Sequence, residues 1–319
     1  MKKPIVFMFS GQGSQFYQMG KELFNQCPIF HSWMVKMDDI IKEQTGMSVI
    51  KELYGSKEKW ERFDRTFFTH PAIFMVEYAL AQVLLDRGIV PDYVLGTSLG
   101  EYTAAAVAGV IRVKAAIECL LTQAALLEEY CINSGMLAIV YDPKLYYENP
   151  VLFKNIEFAA LNYDSHFVVA GESESLAKIS DFLKDKEIIH QLLPVSFGFH
   201  SSYIDAIQAK YTSFLAKMSF HKPVFPFISS LNGEQLTELP LNYFWDVVRK
   251  PILFQKAIWQ LEKKHECIYL DLGPSGSLAN FVKNNLECNS GSQYYPIITL
   301  FNQELKNLRR IEALFNDCP

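Results

Sequence analysis

Gly96-Thr97-Ser98-Leu99-Gly100 sets a serine between two glycines in the G-x-S-x-G spacing of a nucleophile elbow. A serine hydroxyl is a weak nucleophile, so it needs exposure on a tight turn, a base within reach and amide donors for the developing oxyanion. The glycines permit the sharp bend, and a helix starting just after Ser98 would supply free N–H groups and the positive end of its dipole. A second small-residue turn, Ser10-Gly11-Gln12-Gly13-Ser14-Gln15, could complete the oxyanion hole. If both turns end neighbouring parallel strands, the backbone N–H groups of Gln12 and Leu99 converge on one crevice. A phosphate cradle is a poor reading of either turn, because neither G-x-G-x-x-G nor G-K-[ST] is present.

For the base, His200 leads among the seven histidines. It lies in Phe197-Gly198-Phe199-His200-Ser201-Ser202, after a strand end, in a loop able to present an imidazole to a pocket. His70, beside Pro71, is placed to line the site, whereas His31, His166, His190, His221 and His265 lie among charged or turn residues and read as surface histidines. No Asp or Glu stands out as a third member.

The elements that must position these groups read as α/β. Ile5 to Phe9 is a strand running into the first turn, Pro71 to Arg87 a core helix closed by Gly88, and Pro91 to Gly96 a strand running into the elbow. Strand, sharp turn and helix in that order imply a parallel sheet. From Ser134 the texture changes: Met136 to Val140 (strand), Pro143 to Phe153 (helix), Ile156 to Asn162 and Phe167 to Ala170 (hairpin), Ser175 to Lys186 (helix) and Ile188 to Val195 (strand) spell βαββαβ. The expected organisation is an α/β catalytic domain from 1–133 and 198–319, with a small ferredoxin-like subdomain at 134–197 inserted. Val224 to Ser229 and Cys267 to Leu272 then read as strands, with helix from Asn242 to Lys263 around Pro251.

The 319 residues are half hydrophobic, and 30 basic against 35 acidic side chains leave a net charge of −5. That balance speaks against a nucleic-acid binder, whose footprint is basic. The longest apolar runs, such as Ala104 to Ile111, fall short of the roughly 20 residues that span a bilayer. Met1-Lys2-Lys3 before Ile5 to Phe9 is too short for a signal peptide, so a cytoplasmic protein without membrane contact is expected. Cys27, Cys119, Cys131, Cys267, Cys288 and Cys318 lack C-x-x-C spacing and read as free thiols rather than as disulfides or a metal site.

Five segments in order carry a resemblance: GQGSQ at Gly11 to Gln15, HPA at His70 to Ala72, GTSLGEY at Gly96 to Tyr102, FHS at Phe199 to Ser201 and LGPSGSL at Leu272 to Leu278. Together they resemble the malonyl-CoA:acyl-carrier-protein transacylases and polyketide-synthase acyltransferase domains. The resemblance implies an α/β-hydrolase-like large domain with a short parallel sheet, Ser98 as acyl-accepting nucleophile, His200 as base, and Gln12 and Leu99 as oxyanion hole. It also implies a backbone carbonyl in place of an acid behind the histidine, and matching Lys250-Pro251 to the family's residue-proline pair puts that carbonyl at Val247.

Two positions depart from the family pattern. Thr97 stands where a histidine usually precedes the serine, and Gln123 stands 25 residues beyond Ser98, where malonyl-transferring members carry an arginine. A neutral amide cannot clamp a carboxylate as a guanidinium does. The expected acyl pocket comprises Gln123, Thr97, Gly198, Phe199, His70 and Asn162, with Gly198 leaving room for an uncharged chain. This pattern resembles the discrete acyl hydrolases of trans-acyltransferase polyketide synthases, which release stalled acyl groups from carrier proteins. The alternatives are an acyl-CoA:acyl-carrier-protein transacylase and, less favoured, a non-catalytic synthase-docking protein. The implied partners are an acyl carrier protein and its synthase, met by a monomer with no tightly bound cofactor, the acyl group riding on phosphopantetheine or coenzyme A. Because carrier proteins are acidic too, Arg249, Lys250, Lys306, Arg309 and Arg310 are candidates to mask the charge at the pocket mouth.

Overall fold

The computed structural model describes residues 3–316, so Met1, Lys2 and Cys318 lie outside it. The chain opens with β1 (Ile5–Phe9), then α1 (Lys21–Gln26), α2 (Pro28–Thr45), α3 (Val49–Leu53) and α4 (Thr66–Asp86), before β2 (Tyr93–Gly96), α5 (Gly100–Val107) and α6 (Val113–Tyr130). A second unit follows with β3 (Gly135–Ile139), α7 (Lys144–Glu148), β4 (Ile156–Tyr163), β5 (His166–Gly171), α8 (Ser173–Asp185) and β6 (His190–Leu192). The chain returns through a 3₁₀ turn (Ser202–Ile207), α9 (Gln208–Leu215), β7 (Phe227–Ser229), β8 (Gln235–Leu236), α10 (Tyr243–Arg249), α11 (Phe254–Glu262), β9 (Ile268–Asp271), α12 (Ser277–Asn285), β10 (Gln293–Pro296) and α13 (Glu304–Asn316).

Two sheets result. One runs β10-β9-β1-β2-β7-β8, parallel except where β8 folds back on β7. All five residues of β1 are buried, as a central parallel strand covered on both faces requires. The other sheet is antiparallel in the order β4-β5-β3-β6, the arrangement of a ferredoxin-like βαββαβ unit. The mixed α/β fold with a separate antiparallel unit is therefore as the sequence implies.

The long core helix differs from expectation at its start. α4 begins at Thr66, and Pro71 falls in its second turn, forgoing the bond to the Phe67 carbonyl that its missing N–H would have made. This helix is long and apolar enough to cross a membrane, but it is buried within the protein along nearly its whole length. The mainly helical stretch expected around Pro251 is two helices, α10 and α11, parted at the proline because the residue before it is driven to extended backbone. Between them, Ile252 pairs with β4: its N–H donates to Ala159 and its carbonyl accepts from Leu161, both at 2.9 Å. The loop that follows α10 is thus stitched to the small sheet.

Candidate active site

The elbow forms at the carboxyl end of β2. Ser98 sits at φ +55°, a left-handed backbone that non-glycine residues adopt only when the surroundings impose it. Those surroundings are tight. A Cβ on Gly100 would strike the Phe9 carbonyl, and one on Gly11 would lie 2.7 Å from the Ser98 Cβ, so only glycine lets the two turns close on each other. The Thr97 N–H donates to the Phe9 carbonyl at 2.9 Å, locking the elbow to β1. The N–H groups of Gln12 and Leu99 enter no turn or loop hydrogen bond among the described residues, which leaves them free for an oxyanion.

Buried carboxyl groups brace both turns. Glu77 Oε1 accepts from the Ser10 N–H at 2.6 Å and Oε2 from the Thr103 hydroxyl at 2.9 Å. Glu101, in the first turn of α5, takes the Ser230 N–H at 2.8 Å and the Tyr243 hydroxyl at 2.7 Å, tying the elbow to β7 and α10. Asp271 accepts from the N–H groups of Gly273 and Ala279. Burial raises all three, Glu77 to about 8 and Glu101 and Asp271 to about 7, against the hydrogen bonds that favour their charged forms.

Ser98 Oγ lies 2.8 Å from His200 Nε2. His200 is also left-handed, at φ +63°, so two strained residues face each other across the site. The expectation that Val247 supports this ring is corrected: the carbonyl at 2.9 Å from Nδ1 belongs to Lys250. Lys250 ends α10 with φ −89° and ψ 154°, the extended conformation that Pro251 demands, and this swings its carbonyl out of the helix line. The Val248 carbonyl meanwhile accepts the backbone N–H of His200 at 2.8 Å. Two end-of-helix carbonyls, which have no partner within the helix, thus hold both the main chain and the ring of the base. Burial pushes the His200 pKa down to about 4 despite the Lys250 bond, so the imidazole is neutral at pH 7 and able to accept a proton.

A cleft of about 500 Å³ opens over this pair, with Gln12, Thr97, Phe199 and Asn162 among its walls. Three other expected pocket residues stand behind those walls. Gln123 is buried on α6, its Nε2 3.4 Å from the Tyr102 hydroxyl, which in turn meets the Tyr211 hydroxyl at 2.5 Å. Gly198 leaves no room for a chain, because Tyr203, Ser134 and Ser201 crowd where its Cβ would stand, the closest at 3.2 Å. His70 is buried with its ring 5.7 Å from that of Phe199. Conversely, His166, expected at the surface, lines the cleft. Its signal was weak: the hairpin tip Tyr163-Asp164-Ser165 looks solvated until the two units are seen to pack. Among the described lining residues none is Lys, Arg, Asp or Glu.

A cavity of about 670 Å³ lies beside α8, and Ser180 on its wall meets a histidine outside the lining, Ser180 Oγ to His190 Nε2 at 2.8 Å. Ser180 sits mid-helix, where the backbone amides are committed to the helix ladder, so nothing there could hold an oxyanion. Of the basic residues expected near the pocket mouth, Arg249 pairs with Asp205 and Lys250 with Asp246 at 2.8 Å, which neutralises both locally. Arg310 packs over the Tyr295 ring at 5.4 Å, by the β10 edge.

A parallel α/β sheet with an inserted antiparallel unit, and a serine–histidine pair held by backbone carbonyls, define a serine acyltransferase architecture. Residues 6–317 match the acyl transferase domain family, and the chain belongs to it. It is 50% identical over 98% of its length, and 97% of theirs, to the polyketide biosynthesis acyltransferase homologs PksD of Bacillus subtilis and BaeD of Bacillus velezensis. Among solved structures, the acyltransferase domain from the second module of the salinomycin polyketide synthase superposes with a TM-score of 0.86 at 26% identity, covering 97% of this chain and 72% of that one. The malonyl-CoA:acyl-carrier-protein transacylase of Coxiella burnetii shares the fold with a TM-score of 0.82 at 23% identity, over 98% of both chains.

Proposed function

We propose that this protein is a serine-dependent hydrolase that releases uncharged acyl groups from acyl-carrier-protein thioesters in polyketide biosynthesis. The observation that carries the reading is the cleft itself: a serine–histidine pair beneath walls without a cation, so a carboxylate-bearing extender unit finds no counter-charge there. The names of the two half-identical relatives supply the polyketide setting.

Ser98 Oγ attacks the thioester carbonyl while its proton passes to His200 Nε2, and the oxyanion is held by the Gln12 and Leu99 amides. Collapse breaks the C–S bond, and His200 returns the proton to the departing thiol. Water then attacks the acyl-Ser98 ester with His200 as base, and the second collapse frees the acid and regenerates the hydroxyl. Throughout, the Lys250 carbonyl accepts a hydrogen bond from Nδ1–H, keeps Nε2 facing Ser98 and stabilises the transient imidazolium.

The test is carrier protein loaded with isotopically labelled butyryl-pantetheine, incubated with enzyme and an excess of coenzyme A. Free butyrate and bare carrier are expected. Label retained on a thiol acceptor, or malonyl transfer from coenzyme A to carrier outrunning butyrate release, would establish a transacylase instead.

A further inference from the structure

The tip of the small sheet carries a second imidazole into the cleft. His166 opens β5, with its ring centroid 5.1 Å from those of both Tyr163 and Phe281. Asn162 Nδ2 donates to His166 Nδ1 at 3.0 Å, which leaves the ring proton on Nε2. The large unit grips this tip at two places: Asn285 Nδ2 of α12 donates to the Asn162 carbonyl, and Gln255 Nε2 of α11 to Asp164 Oδ1, both at 2.7 Å. Burial pushes the His166 pKa down to about 4, so at pH 7 the ring is an uncharged donor rather than a cation. Backbone register, tautomer and ring packing are thus all fixed at a group the reaction does not use, in a cleft whose other titratable lining residue is the base.

We propose that His166 Nε2–H donates a hydrogen bond to a neutral oxygen of the bound thioester and is a specificity-determining residue of the cleft. This rests on the reading of Ser98 as the acyl acceptor. A fixed neutral donor is satisfied by a hydroxyl or carbonyl oxygen, and rewards a substrate that has one over a substrate that leaves the N–H unpaired. A carrier-bound acyl group offers such an oxygen in two places, C3 of the acyl chain and the amide carbonyls of the pantetheine arm.

Four substrates separate the sources: butyryl and 3-hydroxybutyryl groups, each as a pantetheine thioester and as an ethyl thioester that lacks the amides. Formation of an acyl adduct on the wild-type protein, absent in Ser98→Ala, is checked first by intact mass and decides the Ser98 reading separately. His166→Phe is expected to lower kcat/KM about 2- to 12-fold, the loss of one neutral hydrogen bond, for the substrates that carry the recognised oxygen. His166→Gln, which keeps an N–H donor, is expected to restore most of it. A fall confined to 3-hydroxybutyryl identifies the acyl oxygen, and one confined to the pantetheine thioesters identifies the arm. An equal fall on all four substrates, no fall at all, or one that His166→Gln fails to relieve overturns the proposal.

Discussion

A malonyl thioester is the sharpest probe of the cleft, because its free carboxylate would enter a space whose described walls hold no Lys or Arg. Removing one partner of a buried charge pair costs about 2–5 kcal/mol, since the other charge is left unpaired. At 1.4 kcal/mol per tenfold, this corresponds to roughly 30- to 4,000-fold against malonyl relative to an uncharged chain of similar size. The cleft is open to solvent, so the carboxylate keeps part of its hydration and the lower end of that range, about 30- to 100-fold, is expected. The assay is single-turnover acylation of Ser98 by malonyl- and butyryl-pantetheine, quenched at intervals and read by intact mass. Malonyl loading within tenfold of butyryl loading would refute the reasoning, because a carboxylate would then have found a counter-charge that the walls do not provide.

Gln123→Leu is expected to leave that malonyl-to-butyryl ratio unchanged, since the side chain faces the buried tyrosines, and to cost about 1 kcal/mol in denaturant unfolding as the Tyr102 hydroxyl loses a partner. Lys250→Ala should leave kcat near wild type, because the group that holds His200 is main chain, whereas Pro251→Ala should lower kcat with KM little changed as residue 250 relaxes toward helix. With His200 depressed to about 4, kcat/KM for a neutral thioester should stay level as pH falls from 7 to 5 and decline only as it nears 4; a decline centred on 6.5 would contradict the burial of the ring. Glu77, by contrast, holds its proton to about 8 in the folded protein while an unfolded carboxyl releases it near 4.5. Between those values the unfolded state binds fewer protons, so this group makes unfolding easier as pH rises, and Glu77→Gln should flatten the slope of stability against pH.

The elbow was legible because its signal is local: glycines at 96 and 100, a strand before and a helix after are properties of adjacent residues. The same holds for His200, whose loop lies beside a recognisable strand end. What escaped was set by packing between distant segments. The Lys250 carbonyl has no residue-type signature, and matching by spacing placed the support three residues early, inside α10. Spacing also put Gln123 on the right helix, but which way that side chain turns is decided by Tyr102 and Tyr211 from two other helices. His166 reads as a surface residue in the sequence because its neighbours are polar, and only the grip of α11 and α12 on the hairpin tip turns it inward. The short β8, β10, α1 and α3 carry little periodicity of their own and take shape against a core already formed, whereas α2 shows its buried face in the helical spacing of Phe30, Met34, Met37 and Ile41.

The Pro251 turn has a consequence for how the gene can drift. The atoms that would stabilise charge here, the amides of residues 12 and 99 and the carbonyl of residue 250, belong to the main chain. Side-chain replacement at those three positions therefore leaves the reacting groups themselves in place, and an alanine there would act through packing, as at the buried Leu99, rather than by removing a catalytic atom. Selection would act instead on the residues that set backbone direction: Gly11, Gly100 and Pro251. Lineages descending from this protein should vary freely at Lys250 while keeping the proline after it.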